Sequence, residues 1–371
     1  MPDLFRPAPL VPLDAWLAGR LPEKAEALPI RVREAQLAAL RNLLPYVTKH
    51  SAFYAGHFAG HDTHIPHPED FEGLPFTEAE HLRDWQKFLC VSHSRVQRMV
   101  SLNTSGTTGP PKRLAFTEND LALTRDFFRV GLSELIRPGE RLGVLLPGGG
   151  RPDGVADQLR LALSVQNIAV ECLPQSLESV HDGPNAATLA DWIRWGKFHC
   201  LVTMPNHLHA LLTVFPERPR PLRGVLSSAD ALAPELAQAV RKAWACDVRN
   251  HYGLTESGFG LAVECACHNG LHLRELDILV EIVDVEKASP VPPGVEGEVV
   301  ITTLRHEAMP LVRYRTGDVS CLLPGPCRCG SPMPRLGPIA GRLQRDSEGS
   351  ARLARLPKSG ILSFSPTFGT G

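Results

Sequence analysis

Two stretches of this chain carry residue types at spacings that suit phosphate chemistry. Thr104-Ser105-Gly106-Thr107-Thr108-Gly109-Pro110-Pro111-Lys112 packs hydroxyls, glycines and one lysine into a single segment. Glycines let backbone N–H groups turn toward an anion without a Cβ in the way, the hydroxyls donate further hydrogen bonds, and Lys112 supplies a mobile positive charge. Polyphosphate binding, and with it ATP chemistry, is the leading expectation. The Walker pattern G-x-x-x-x-G-K-[ST] does not fit, because Gly109 is followed by Pro110-Pro111 and Lys112 by Arg113. Downstream, His251-Tyr252-Gly253-Leu254-Thr255-Glu256 closes a predicted strand, the place where ligands bind in open α/β sheets. A hydroxyl and a carboxylate side by side, Thr255 and Glu256, can serve Mg²⁺ and phosphate there.

Cysteine usage adds a second kind of candidate. Of nine cysteines, Cys246, Cys265, Cys267, Cys327 and Cys329 form a group once Cys321 is set aside as a strand residue. A disulfide scaffold does not suit a chain of this size, so the clustering points to metal binding or to inert buried thiols. Cys90, Cys172 and Cys200 read as core residues.

The elements that must position these groups fall into three textures. Apolar residues at near-helical spacing from Arg31 to Leu44 predict a helical lead-in, and Thr77 with Glu80 predicts a capping box opening a short helix. Strands are expected at Arg141–Pro147, Ile168–Leu173, Cys200–Met204, Gly224–Ser227 and Asp247–His251. Helices near 153–166, 187–196, 205–214 and 233–245 alternate with them, so the section reads as a parallel sheet with crossover helices. Gly148-Gly149-Gly150 lacks the dinucleotide spacing and reads as a turn. After about residue 275 the β-rich runs Ile278–Asp284, Gly297–Leu304 and Pro310–Leu323 predict a smaller antiparallel sheet.

Composition sets the class. In 371 residues, 43% are hydrophobic and 21% charged, ordinary for a soluble enzyme with a sizeable core. With 39 basic and 40 acidic residues the net charge is −1, which argues against nucleic acid and against electrostatic docking on a membrane. The proline-broken N-terminus lacks a secretory pattern, and no apolar run approaches spanning length, so a cytoplasmic protein is expected.

The nine-residue loop resembles the phosphate loop of the adenylate-forming superfamily, T-S-G-T-T-G-x-P-K, with every position filled. Tyr252-Gly253-Leu254-Thr255-Glu256 resembles the family's Y-G-x-T-E, which implies Thr255 on phosphate and Glu256 on Mg²⁺. Tyr314-Arg315-Thr316-Gly317-Asp318 resembles Y-R-T-G-D, whose Asp grips the ribose; a carboxylate can accept two hydrogen bonds from a vicinal diol. Ser228-Ala229-Asp230 resembles the adenine-side segment, with a shortened acid, and Gly341-Arg342 the G-R whose Arg reaches the nucleotide. Tyr54, Leu74-Pro75-Phe76-Thr77, Glu307–Arg315 and Pro324–Gly330 are similar to the phenylacetate-CoA ligase-like branch. That branch often carries a structural zinc, which implies Cys265, His272, Cys327 and Cys329 as a Cys3His set, with Cys267 or His268 able to replace one ligand.

The resemblance implies an α/β fold: a large adenylate-forming N-terminal domain over 1–342, with a helical lead-in (1–90), an α/β core of parallel sheet and crossover helices (91–260) and a β-rich lobe (261–342). Residues 343–371 form a short tail where relatives carry a C-terminal lid, so the lid is expected to be absent or vestigial. Asp346 would be a shifted hinge, and Lys358 either a solvated lysine or a relocated catalytic one. The implied reaction joins a small-molecule carboxylic acid to ATP with Mg²⁺, Lys112, Thr255 and Glu256 acting on the phosphates. Three readings follow: an acyl-CoA ligase-like enzyme whose lid is lost or comes from another chain, limited alone to adenylate formation and passing the acyl group to CoA if a lid is supplied; an acyl-protein synthetase that loads a protein thiol; and a noncatalytic nucleotide- or acyl-adenylate-binding regulator. The family also suggests a homodimer. Acid-pocket walls are expected at Met204-Pro205-Asn206-His207, Gly253-Leu254 and the Gly148–Gly150 turn.

Overall fold

A short helix, α1 (Pro12–Gly19), leads into α2 (Leu28–His50), which buries Val32, Leu40, Leu43, Leu44 and Val47 along one stripe. The near-helical spacing read from Arg31 to Leu44 falls within this helix, which runs on through Pro45. Proline costs one helical hydrogen bond, and the turn beyond it is held by buried Val47 and by the Tyr46 hydroxyl donating to the Glu307 carbonyl at 2.8 Å. The computed structural model describes residues 11–102, 112–146, 154–173, 186–345 and 351–355. Helix α3 (Ala52–His57) starts at Ser51, whose Oγ accepts from the Tyr54 N–H at 3.3 Å. A 3-10 turn (Ala79–Asp84) and α4 (Trp85–Phe88) follow.

The capping box there differs from the expectation. The N-cap is Glu78, whose N–H is bonded by His81 Nδ1 at 3.0 Å. Thr77 is instead fully buried; it donates to the Val312 carbonyl at 2.7 Å and bridges the strand containing Tyr314. A tertiary β-bridge outcompetes the local cap.

Strands β1 (Arg98–Leu102) and β2 (Lys112–Phe116) form an antiparallel ribbon in which Leu102 pairs with Lys112. Helix α5 (Glu118–Leu132), which the sequence reading did not anticipate, opens with a capping box between Thr117 and Asp120. The Asp120 carboxylate also accepts from the Glu307 and Ala308 N–H groups at 2.6 and 3.2 Å, tying α5 to a distant loop.

The alternating region folds as β3 (Arg141–Leu145), α6 (Val155–Ser164), β4 (Ala169–Cys172), α7 (Ala186–Gly196), β5 (Cys200–Thr203), α8 (Pro205–Val214), β6 (Gly224–Ser227), α9 (Pro234–Trp244) and β7 (Asp247–Tyr252). Strands β4-β3-β5-β6-β7 are parallel neighbours, the arrangement expected from the sequence. Helices cover both faces, so β5 and β6 are buried at every position. One core joins Phe127, Leu132 and Leu163 to the sheet; the other joins Leu189, Phe198 and Trp244.

The sheet does not stop near residue 260. Strands β8 (Ala262–Glu264) and β9 (Leu271–Leu273) continue it antiparallel. After β10 (Ile278–Val283), β11 (Gly297–Thr303) and β12 (Tyr314–Ser320), the chain returns as β13 (Arg335–Leu336) to its edge. A second, antiparallel sheet has the order β10-β11-β12-β14-β15, with β14 at Gly341–Arg345 and β15 at Ala351–Arg355. Residues just past Arg342 thus form an edge hairpin where the sequence suggested a tail. Side chains that look polar in sequence are paired across the sheet, as Arg345 is with Glu298 at 2.5 Å. Asp346 and Lys358 lie outside the described residues. Among the described residues, no helix is long and apolar enough to cross a membrane.

Candidate active site

A cavity of about 1300 Å³ opens at the C-terminal ends of β5, β6 and β7, which contribute Val202, Leu226 and His251 to its wall. It has two kinds of lining. Lys112, Ser228, Thr255, Glu256, Arg342 and Arg345 make one side polar, while Phe127, Phe128, Leu132, Leu159, Val263 and Phe259 make the other apolar.

Lys112 begins β2 with its stem buried, and its Nζ donates to Glu80 Oε1 at 3.0 Å. The same carboxylate meets Arg83 at 2.5 Å, and the Lys112 hydrogen bond holds the Glu80 carboxyl below its ordinary pKa. Glu80 is thus a partner of the phosphate-loop lysine, a role the capping-box reading concealed. Thr104, Ser105, Gly106, Thr107, Thr108 and Gly109 lie outside the described residues.

Glu256 follows β7 on a tight turn. A Cβ at Gly253 would lie 2.3 Å from the Phe259 carbonyl oxygen, so glycine is required where this turn folds back on itself. Glu256 Oε1 accepts from the Tyr314 hydroxyl at 2.9 Å, which sets the carboxylate against β12. Burial, and then the facing Glu256 charge, push the Tyr314 phenol well above its ordinary pKa. It is a donor across the working pH range.

Asp318 stands beside this wall, buried, with Oδ2 accepting from the Tyr252 hydroxyl at 2.8 Å and Oδ1 3.4 Å from Arg342 Nε. Burial pushes its carboxyl up while the Arg342 guanidinium opposes the shift. The Tyr252 phenol is raised by burial and by the Asp318 charge. The structure therefore draws Lys112, Gly253, Thr255, Glu256 and Arg342 around one cavity, while Asp318 and Tyr252 stand behind its lining and meet it through Arg342.

Ser228 and Ala229 also line it, Ala229 in the left-handed region at φ +69°. Asp230 does not line it: the side chain is exposed, and Oδ1 accepts from the Ala231 N–H at 2.8 Å. A short acid after Ala229 reaches the next backbone group before it reaches the cavity. His207 is likewise absent from the lining, since its Nδ1 bonds the Leu145 carbonyl at 3.1 Å. Met204, Pro205 and Asn206, also proposed as walls, open α8 away from the lining; Gly253 and Leu254 are walls as expected. Gly148–Gly150 lie outside the described residues. The sequence reading missed His251, whose signal was its alternation with Arg249 on one face of β7, and Glu298, a carboxylate inside an apolar strand.

Residues 176–304 match the family of AMP-binding enzymes. The chain is 31% identical over 336 residues to the phenylacetate-coenzyme A ligase of Thermus thermophilus, covering 84% of this chain and 70% of that protein. The chain belongs to this family. With the phenylacetate-coenzyme A ligase of Pseudomonas putida the identity is 28% over 328 residues, again 84% of this chain and 70% of the relative. The fold is that of 2-hydroxyisobutyryl-CoA ligase in its postadenylation state with 2-HIB-AMP, at a TM-score of 0.73 and 20% identity over 95% of this chain and 75% of that one. The protein is thus a phenylacetate-CoA ligase-like, adenylate-forming enzyme, an AMP-forming acid–CoA ligase.

In this ligase the Cys3His set is assembled in space. Donor atoms of Cys265, His272, Cys327 and Cys329 all lie within 4.8 Å of one another, with Cys265 Sγ 3.7 Å from Cys327 Sγ and Cys329 Sγ 3.6 Å from His272 Nε2. A tetrahedral zinc with sulfur ligands separates them by about 3.8 Å, so the residues fit. His268 is engaged elsewhere, against Glu264 at 3.2 Å, Asp247 at 3.4 Å and Arg241 at 2.9 Å. Cys267 stands outside the four.

Proposed function

We propose that this ligase couples a small carboxylic acid to the α-phosphate of ATP and then passes the acyl group to CoA, with the reaction centred between Lys112, Glu256 and Asp318. The observation that carries this reading is the meeting of Lys112, Glu256 and Arg342 in the lining of a cavity that also has an apolar wall, with Asp318 directly behind Arg342. An acid seated there would direct its carboxylate toward the nucleotide. A carboxylate oxygen bonds the α-phosphorus, the bond to the bridging oxygen breaks, and pyrophosphate leaves with the electron pair. In the second half, the CoA thiol loses its proton to water, its sulfur bonds the acyl carbon, and the bond from that carbon to the phosphate oxygen breaks as AMP leaves with the electron pair.

Each residue has a role the geometry supports. Lys112 would exchange Glu80 for a phosphate oxygen, and the loop 104–109 would wrap the same phosphates from the ribbon that fixes both its ends. Thr255 would donate to phosphate, Asp318 would accept from the ribose, and Arg342 would reach the nucleotide. Glu256, held by Tyr314, would carry Mg²⁺, whose charge offsets that of the phosphates. Glu256→Gln should lower ATP–pyrophosphate exchange by about 100-fold across a panel of carboxylic acids. Exchange at the parent rate would refute the assignment.

We further assign a structural zinc to Cys265, His272, Cys327 and Cys329. With four protein ligands it has no open position, and its binding energy adds to folding. Metal analysis should find one zinc per chain, and Cys327→Ser should lower the melting temperature. A metal-free chain with an unchanged melting temperature would overturn it.

A further inference from the structure

One residue in the cavity lining, His251, carries a ring nitrogen with no hydrogen-bond partner among the described residues. His251, on β7, presents its ring to Phe127 and Phe128, with centroids 6.2 and 6.3 Å away. Its Nδ1 is committed to Ser228 Oγ at 2.9 Å. Its Nε2 is buried and has no hydrogen-bond partner among the described residues. Arg249, two positions back on the same face of the strand, is by contrast satisfied by Glu134 at 2.6 Å and Asp247 at 2.8 Å.

An unpaired buried ring nitrogen costs free energy that a leucine at the same place would not. The imidazole is also fixed. Ser228 orients one nitrogen, and a Cβ at Gly253 would meet His251 Cε1 at 2.8 Å, so glycine leaves the ring its space. Leu226, Val263 and Phe259 surround the same chamber, and none can hydrogen-bond through its side chain. A ligand wholly apolar beyond its carboxylate would leave Nε2 unpaired; one with an oxygen at the right depth would satisfy it.

We propose that the acid activated here carries a hydroxyl or keto oxygen on an otherwise apolar body, and that His251 Nε2 is the group that recognises it. This inference rests on the ligase reading above and names the substrate class of that same cavity. Burial lowers the pKa of His251 to about 4, so near neutral pH the ring is uncharged and offers one N–H and one lone pair. Whichever of these Ser228 takes at Nδ1, Nε2 offers the other, and a hydroxyl can meet either.

The test compares matched acids: phenylacetate with its three ring-hydroxylated derivatives, and hexanoate with 3-hydroxyhexanoate and 3-oxohexanoate. In pyrophosphate exchange, at least one oxygenated acid should exceed its parent in kcat/KM by roughly tenfold or more. His251→Leu should erase that preference and raise relative use of the parent, while His251→Gln, which keeps a polar end, should restore part of it. Parents used as well as every oxygenated partner, or a preference unchanged in the leucine variant, would overturn the proposal. Calorimetry of the same acids with an α,β-methylene ATP analogue separates the two readings. Selective binding without exchange would fault the ligase reading and leave this one standing; equal binding, or none, would fault this one.

Discussion

Tyr252 and Tyr314 give two carboxylates a fixed direction. Each phenol donates to one buried or half-buried acid, Asp318 or Glu256, and burial keeps each phenol protonated. If Asp318 accepts from the ribose, removing its donor should weaken nucleotide binding without touching the bond-making step. Tyr252→Phe is therefore expected to raise KM for ATP by about tenfold, the worth of a hydrogen bond to a charged group, with kcat changed by a few-fold at most. A variant with unchanged KM for ATP would remove Asp318 from the ribose. Glu256 and Asp318 were legible in the sequence because each sits in a short run whose residue types suit phosphate or diol chemistry. Their tyrosine donors were not assigned as donors, since Tyr252 meets Asp318 and Tyr314 meets Glu256 only through tertiary folding. Asp230 misled for the opposite reason: its local neighbours looked right, and a single backbone N–H took its oxygen.

At the scale of elements, the second sheet is locked by one inward carboxylate. Glu298 on β11 is fully buried; it accepts from Arg315 Nε at 2.7 Å on β12, from Arg345 Nη2 at 2.5 Å on β14, and from the Gly317 N–H at 3.1 Å. Arg315, Gly317 and Arg345 all line the cavity, so the carboxylate sets the shape of its polar wall from behind. Glu298→Ala would leave two guanidinium groups facing each other. Because both retain some access to water, the loss should fall near the low end for a broken buried pair, about 3 kcal/mol in urea unfolding. A loss under about 1 kcal/mol would mean that the clamp is dispensable. The strands and crossover helices of the parallel sheet were readable from alternating apolar runs, because those elements bury both faces of a strand and one stripe of a helix. The β14–β15 hairpin was not. Its residues alternate arginine with alanine and leucine, and they pair only because Gly341 lets the Ala354 carbonyl approach to 2.4 Å from where a Cβ would stand.

Across the whole molecule, the N-terminal helix, the segment before β10 and the cysteine loop meet at a buried acidic junction. Arg20, the residue that caps the end of α1, bonds Asp277 at 2.5 and 3.1 Å, Arg274 bonds the same carboxylate at 2.8 Å, and Ser331, two residues past Cys329, donates to Asp14 at 2.9 Å. Beside these charges lies Glu275, buried, with Oε2 unpartnered among the described residues, as Asp14 Oδ2 and Arg274 Nη2 also are. Nothing local in the sequence marks it, because the burden arises only when α1 closes over it. Burial, and secondarily the Asp14 charge, push its carboxyl up to about 8. In the unfolded chain it returns to about 4.3. Between those values the native state holds a proton that the unfolded state has released, so stability falls as pH rises through this window and levels off above it. The slope can reach about 1.4 kcal/mol per pH unit for one proton. Glu275→Gln keeps the shape and removes the titration. The variant should therefore gain on the parent steadily from pH 5.5 to pH 8, and urea midpoints measured at several pH values read that difference directly. Parallel curves for the two proteins would mean that Glu275 is ionised in the fold, and that a counter-charge at the junction of α1 and the cysteine loop compensates it.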